Sequence, residues 1–120
     1  MLIAAGSSDF KARVFSGWVK EIEKEKPTPT PWGAKMPFGE LMGEFSTSQF
    51  GGGWVHSVAF SPSGNQLLFV AHDSSVTVVD PTSGTQARIT TRDLPYRCAA
   101  WLSDTNIVVA GAGEEIEGEV

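Results

Sequence analysis

One cysteine, two histidines, one tyrosine and nine basic residues are all that 120 positions hold of those types. Each shortage closes off a class of chemistry. Cys98 alone makes neither an internal disulfide nor a multi-thiolate zinc site. Its setting, Cys98-Ala99-Ala100-Trp101, is apolar and predicts a buried, inert thiol. A chain with no disulfide framework suits a reducing cytosol. Fourteen acidic residues against nine basic ones leave a net charge of −5. With no basic patch, neither nucleic acid nor an anionic membrane is an expected partner. Nowhere do 18 apolar residues run together, so no membrane-spanning helix is expected. Met1 to Ala5 is apolar but has no basic flank and is soon followed by Asp9, so it does not read as a signal peptide. Helix-period patterning is nearly missing too.

What the chain does contain is short β-rich runs between turn residues, and the 41% hydrophobic content can build a buried core for one small domain. Leu2 to Ala5 and Ala12 to Phe15 read as strands around a turn at Ser7-Ser8-Asp9. Val55 to Phe60 ends at the turn cluster Ser61-Pro62-Ser63-Gly64. Gln66 to Ala71, Ser75 to Val79 and Gln86 to Thr90 complete a four-strand meander. Val58, Phe60, Leu68, Val70, Val76 and Val78 are its expected inward positions. Tyr96 to Trp101 and Ile107 to Ala110 repeat the apolar pattern.

That repetition has a period. Val55-His56-Ser57-Val58-Ala59-Phe60 aligns with Tyr96-Arg97-Cys98-Ala99-Ala100-Trp101 at an offset of 41, and Gln66 to Val70 aligns with Asn106 to Ala110 at an offset of 40. The difference of one residue falls in a turn. A period near 40 with about four strands per unit is the pattern of a β-propeller blade. A third copy stands at the start, where Asp9 to Ser16 aligns with Asp73 to Asp80 at an offset of 64. The extra length lies between Gly17 and Gly53.

Five segments follow: 1–16, inner strands of a first blade; 17–53, a proline- and glycine-rich insertion returning as that blade's outer strand; 54–94, a complete blade; 95–113, the first strands of a third; and 114–120, an acidic tail. Gly113 replaces the expected turn aspartate, so the third strand of the last blade reads as missing. Within the insertion, the charge run from Lys20 to Lys26 and the alternating Pro27, Pro29 and Pro31 favour an exposed, extended segment over 20–31. Trp32, Met36 and Phe38, with Lys35 among them, either cover their own blade or anchor a partner. These four are the candidate protein-interaction residues.

Catalytic patterns are weak. His72-Asp73 hints at a relay, but Ser57, Ser61 and Ser63 sit in ordinary strand and turn contexts, and no spacing builds a triad. A His with a turn Asp more simply makes a structural hydrogen-bond network. Glu114, Glu115, Glu117 and Glu119 lack the glycine-punctuated loop of a calcium site and read as a solvated face. Gly51-Gly52-Gly53 has no Lys-Ser/Thr or helix after it and is no phosphate loop. No catalytic residue, cofactor, metal or small-molecule substrate is expected.

Leu2 to Lys11, Arg13 to Ser16, the unusual Pro29 to Met42 stretch, Gly53 to Ser61 and His72 to Val76 resemble the WD-repeat subunit 1 family of the actin-related protein 2/3 complex. The resemblance covers roughly residues 2 to 113. It implies an all-β, partial WD-repeat propeller: the inner part of blade four, all of blade five and the first strands of blade six of a seven-bladed ring. It also implies a non-catalytic scaffold subunit supporting nucleation of branched actin filaments. The other subunits of the complex and actin filaments would be its partners, and the cytoplasm and actin cytoskeleton its location. The alternatives are a non-functional truncated fragment and a generic WD-repeat interaction module. About two and a half blades fall below the four that a ring needs. The expectation is therefore an incomplete chain of marginal stability, or one whose flanks are covered by partners.

Overall fold

The computed structural model describes residues 1–18, 30–33, 38–46, 53–83, 85–90, 96–111 and 114–119, with the backbone alone over 85–90 and 114–116. Val, Ile, Leu and Phe recurring in runs of four to six residues, bounded by Ser, Asp, Pro and Gly, leave the backbone one economical solution, which is strands. Ten form among the described residues: β1 (Leu2–Gly6), β2 (Lys11–Ser16), β3 (Leu41–Ser46), β4 (Val55–Phe60), β5 (Leu67–Ala71), β6 (Ser75–Asp80), β7 (Thr85–Thr90), β8 (Cys98–Trp101), β9 (Asn106–Gly111) and β10 (Glu114–Glu119).

They pair antiparallel in chain order as three separate sheets: β1-β2-β3, β4-β5-β6-β7 and β8-β9-β10. The expected strands lie where the apolar runs put them, within about two residues at each end. The third sheet departs from expectation. Glu114 to Glu119 pairs along β9 from Glu114 opposite Gly111 to Glu119 opposite Asn106, so the segment read as an acidic tail is the strand read as missing. Antiparallel pairing satisfies backbone N–H and C=O groups whatever the side chains are. An edge strand with acidic side chains also resists adding a further strand.

The sheets stack face to face, with the four-stranded sheet in the middle. One apolar layer joins the first two sheets through Ala12, Val14, Trp32, Val55, Leu67, Phe69 and Val79. A second joins the middle and third sheets through Leu68, Val70, Val76, Val78, Tyr96 and Val109. Because the middle sheet is covered on both faces, β5 is buried at every position, Leu67 to Ala71. This corrects the expectation of a single inward set. Val58 and Phe60 pack into the first layer, while Leu68, Val70, Val76 and Val78 line the second.

The repeat also appears in the backbone. Among the described residues, the non-glycine residues with positive φ are Phe10 and Ser74, 64 residues apart, at 71° and 66°. Each follows an aspartate whose Oδ1 accepts from the amide two residues on: Lys11 N to Asp9 at 3.2 Å and Ser75 N to Asp73 at 3.1 Å. That side-chain bond holds a left-handed turn that would otherwise be costly. At Gly6 a methyl group would lie 2.5 Å from Val55 Cγ1, so the first and second sheets approach closely because a side chain is absent there.

Candidate protein-interaction surface

The four residues expected to meet a partner do not share one fate. Trp32 sits within a tight reversal in which Thr30 and Gly33 exchange N–H···O bonds at 3.0 Å. Its indole drops between the first two sheets, edge-on to Phe45 and Phe60 at 5.8 Å, and is 6% exposed. Its Nε1 donates to the Gly64 carbonyl at 2.8 Å, in the turn between β4 and β5. Of the two readings left open for Trp32, covering its own blade is the one that this burial fits. A large apolar ring gains more from a dry seam next to its own strands than from water, and the seam offers its one N–H an acceptor. Phe38 is the opposite case, 67% exposed. It sits before Gly39, whose φ of +84° turns the chain into β3 while its N–H donates to Ser16 O at 2.9 Å. Leu41 beside it is 49% exposed. Lys35 and Met36 lie outside the described residues, as does 19–29, most of the segment expected to be extended; within its remainder Pro31 is exposed and Thr30 half-buried.

A second indole, Trp101, uses the same device as Trp32. Its Nε1 donates to Ala59 O at 3.0 Å and ties the third sheet to the second. Beside it the turn at Ser63 locks to the turn at Asp104: Ser63 N donates to Asp104 Oδ1 at 3.1 Å, and Gln66 Nε2 donates to Asp104 O at 3.2 Å. The Ser63 N–H holds the Asp104 carboxyl below the ordinary carboxylate range.

Trp54, 54% exposed, belongs with the displayed apolar groups, and the sequence reading did not single it out. Its position just before β4, out of step with the buried Val55, is the signal that marks it. Its ring lies 5.7 Å from that of His72. His72 Nδ1 meets His56 Nε2 at 2.9 Å, at a bulge where the β4–β5 register shifts between Val55 and Ser57. Burial first, then the charges of His72 and Arg97, push the His56 imidazole below its usual value. Asp73 Oδ1 accepts from Ser75 N and Ser75 Oγ. Among the described residues, His72 meets His56 while Asp73 holds its own turn, as a structural hydrogen-bond network would. Among the described residues no group of three or more His, Cys, Asp or Glu is placed to hold a metal ion.

Cys98 is also corrected: it is exposed. It points to the far side of the third sheet, with Ala100, Val108 and Ala110 on the same face by register. Around them is an open, mostly apolar depression of about 220 Å³. On the far side of the first sheet, Lys11 pairs with Glu44 at 2.8 Å and Arg13 with Asp9 at 2.5 Å. The Arg13 guanidinium holds Asp9 below the carboxylate range, and Lys11 does the same to Glu44.

Three antiparallel sheets stacked face to face, with a blade-length repeat and no closed ring among the described residues, define this chain as a partial β-propeller of the WD-repeat kind. Comparison with curated proteins gives the finer relation. Over 92% of its length the chain is similar to actin-related protein 2/3 complex subunit 1B-A of Xenopus laevis, at 51% identity over 114 residues. It is 42% identical over 116 residues to subunit 1 of the same complex in Schizosaccharomyces pombe, and 38% over 112 residues to that of Saccharomyces cerevisiae. The chain is therefore a homologue of part of actin-related protein 2/3 complex subunit 1. It spans about 30% of the length of the curated relatives it matches. No family model matches the chain.

Proposed function

We propose that this chain acts as a non-catalytic scaffold element of an actin-related protein 2/3 complex, supporting nucleation of branched actin filaments in the cytoplasmic actin cytoskeleton. The carrying observation is the 38–51% identity over nearly the whole chain to proteins named as subunit 1 of that complex. The stacked sheets support the reading, because they present rigid rims and exposed loops and spend their polar groups on holding turns. Partners are the other subunits of the complex and actin filaments. Of the two candidate contact residues that the structure describes, Phe38 is displayed and Trp32 is not, and Leu41, three residues after Phe38, is exposed as well. Being tethered to a rigid strand lowers the entropy lost when such a group docks, and an exposed aromatic is a common interface anchor.

The test is co-purification of the chain, at its native level, with the actin-related proteins from cell extract. Repeated absence from that assembly removes the proposal. Phe38→Ala together with Leu41→Ala is expected to reduce incorporation severalfold while leaving the melting temperature unchanged. A fall in melting temperature with incorporation reduced only in proportion would make these residues structural instead.

A further inference from the structure

The loop end at which Trp54 stands is built from all three sheets and belongs to no outer face. Val55 N donates to Ser7 O beside the first sheet at 3.1 Å, and Arg97 N donates to Ala110 O in the third at 2.8 Å. Between them, His72 N donates to Trp54 O at 2.8 Å. His56 and His72 come from the middle sheet, which has a neighbour on each face, so further sheets beyond the other two would leave them in place. Val55 pairs with Ala71 and Ser57 with Val70, which makes His56 the extra residue of a bulge. Val55 and Val58, three apart, therefore both reach the first core layer. Bulges re-aim a side chain, and here the His56 ring meets that of His72. Nε2 and Nδ1 are 2.9 Å apart, and the ring centroids 5.1 Å. The His72 ring also lies 5.7 Å from the Trp54 ring, tilted at 43°. His72 and Trp54 are exposed and His56 is half-buried. His72 thus touches two ring systems of different chemistry.

Two ring nitrogens in contact share one hydrogen, which one donates and the other accepts. The pair takes up one added proton without losing that bond, because an imidazolium N–H donates to a neutral imidazole more strongly than a neutral ring does. A second added proton makes both facing nitrogens donors and sets two like charges on rings 5.1 Å apart. Each sheet brings a charged group to this end. Arg97, from the third, adds a further positive charge that already acts on His56, together with burial and His72. The carboxylates do not offset it: Asp9, from the first sheet, is taken by Arg13, and Asp73 accepts from Ser75 N and Oγ. A cation within about 6 Å of an indole ring is attracted to it, and Trp54 stands inside that reach of His72.

We infer that His72 is a proton-operated toggle, bonded to His56 while the pair carries at most one added proton and turned onto the Trp54 indole when it carries two. The backbone bond from His72 N to Trp54 O keeps the two residues side by side in both states, so the change needs side-chain torsions alone. The quantity it regulates is the exposure of Trp54, 54% exposed with the histidine pair joined and capped by an imidazolium in acid. Histidine is the side chain suited to such a device, since its charge changes nearest neutral pH. The toggle does not rest on the actin-complex reading.

Imidazole NMR of the 120-residue chain, titrated from neutral pH into acid with circular dichroism alongside, tests it. The pair is expected to titrate in two steps about one pH unit or more apart, as coupled sites do. Nuclear Overhauser contacts between the His56 and His72 rings should survive the first step and be lost at the second, where those between His72 and Trp54 strengthen. Acrylamide quenching of Trp54, isolated by difference from Trp54→Phe, should fall at the second step and not at the first. His56→Gln keeps a hydrogen-bonding group but takes no proton. It is expected to show one step, with His72 held at position 56 and Trp54 equally quenched throughout. A single step in the unchanged chain, separation of the rings at the first step, or unchanged Trp54 quenching at the second overturns the toggle. So does a fall in quenching that persists in His56→Gln. Loss of circular dichroism at or before the second step overturns it too, because the change then belongs to unfolding and not to a local device.

Discussion

Trp32 both fills the seam between the first and second sheets and pins the β4–β5 turn through its indole N–H. Trp32→Ala is expected to cost ~3–5 kcal/mol in urea unfolding, as for other buried aromatics cut to alanine. Trp32→Phe keeps most of the ring but leaves the Gly64 carbonyl without its donor, at a cost of ~1–2 kcal/mol. Equal effects of the two substitutions would show that the ring contributes little. His56 gives a pH dependence with a defined sign. Its folded-state pKa lies below the ordinary 6.5, chiefly because of burial. The unfolded chain therefore binds the proton at higher pH than the folded one. The stabilisation from neutral His56 is complete above the unfolded value and is lost as pH falls from there through the folded value. The urea midpoint is expected to drop as pH falls through the ordinary 6.5 toward the lower folded value, and His56→Gln should flatten that drop. Asp9, Glu44 and Asp104 are lowered from ordinary values of 3.8, 4.5 and 3.8, so their contributions are lost in a separate, more acidic window.

At the scale of the element, the outer acidic strand and the close approach of sheets make the clearest claims. If β10 is a strand, its amides along the β9 ladder exchange more slowly than those of an unstructured acidic segment. They should still exchange faster than β5, which lies in the middle of a sheet and is buried throughout. Random-coil exchange across Glu114 to Glu119 would return the segment to the status of a tail. Gly6 faces Val55 so closely that any side chain must displace it. Gly6→Val is expected to cost ~1–3 kcal/mol through overpacking of that contact, while Gly118→Ala, where an added methyl meets nothing, should be close to neutral. Thermal unfolding of the two variants separates these outcomes.

For the whole molecule, stability and association are one question. Each core layer is an interface between sheets, and the outermost two sheets each keep one face uncovered among the described residues. Binding a partner there stabilises the folded state by mass action. Incorporation into an assembly that covers either face is therefore expected to raise the chain's melting temperature, and an unchanged melt on incorporation would contradict that coverage.

Alternation of apolar residues, turn chemistry at Ser7 to Asp9 and Ser61 to Gly64, and the offsets of 41 and 40 were enough to find the strands and the blade repeat, because these signals are local or periodic. The strand at Glu114 to Glu119 escaped since its pairing is a backbone property that its acidic side chains conceal. Side-chain destinations were the part that sequence left open. Trp32 and Phe38 are six residues apart and both aromatic, yet one closes a seam against Phe60 and Gly64, far along the chain, and the other is in water. Cys98 sits in an apolar run but is exposed because its strand is covered on one face only. Which face of a strand is covered depends on the sheet stacked against it. That is set by contacts between residues tens of positions apart, so it was decided by the tertiary structure alone.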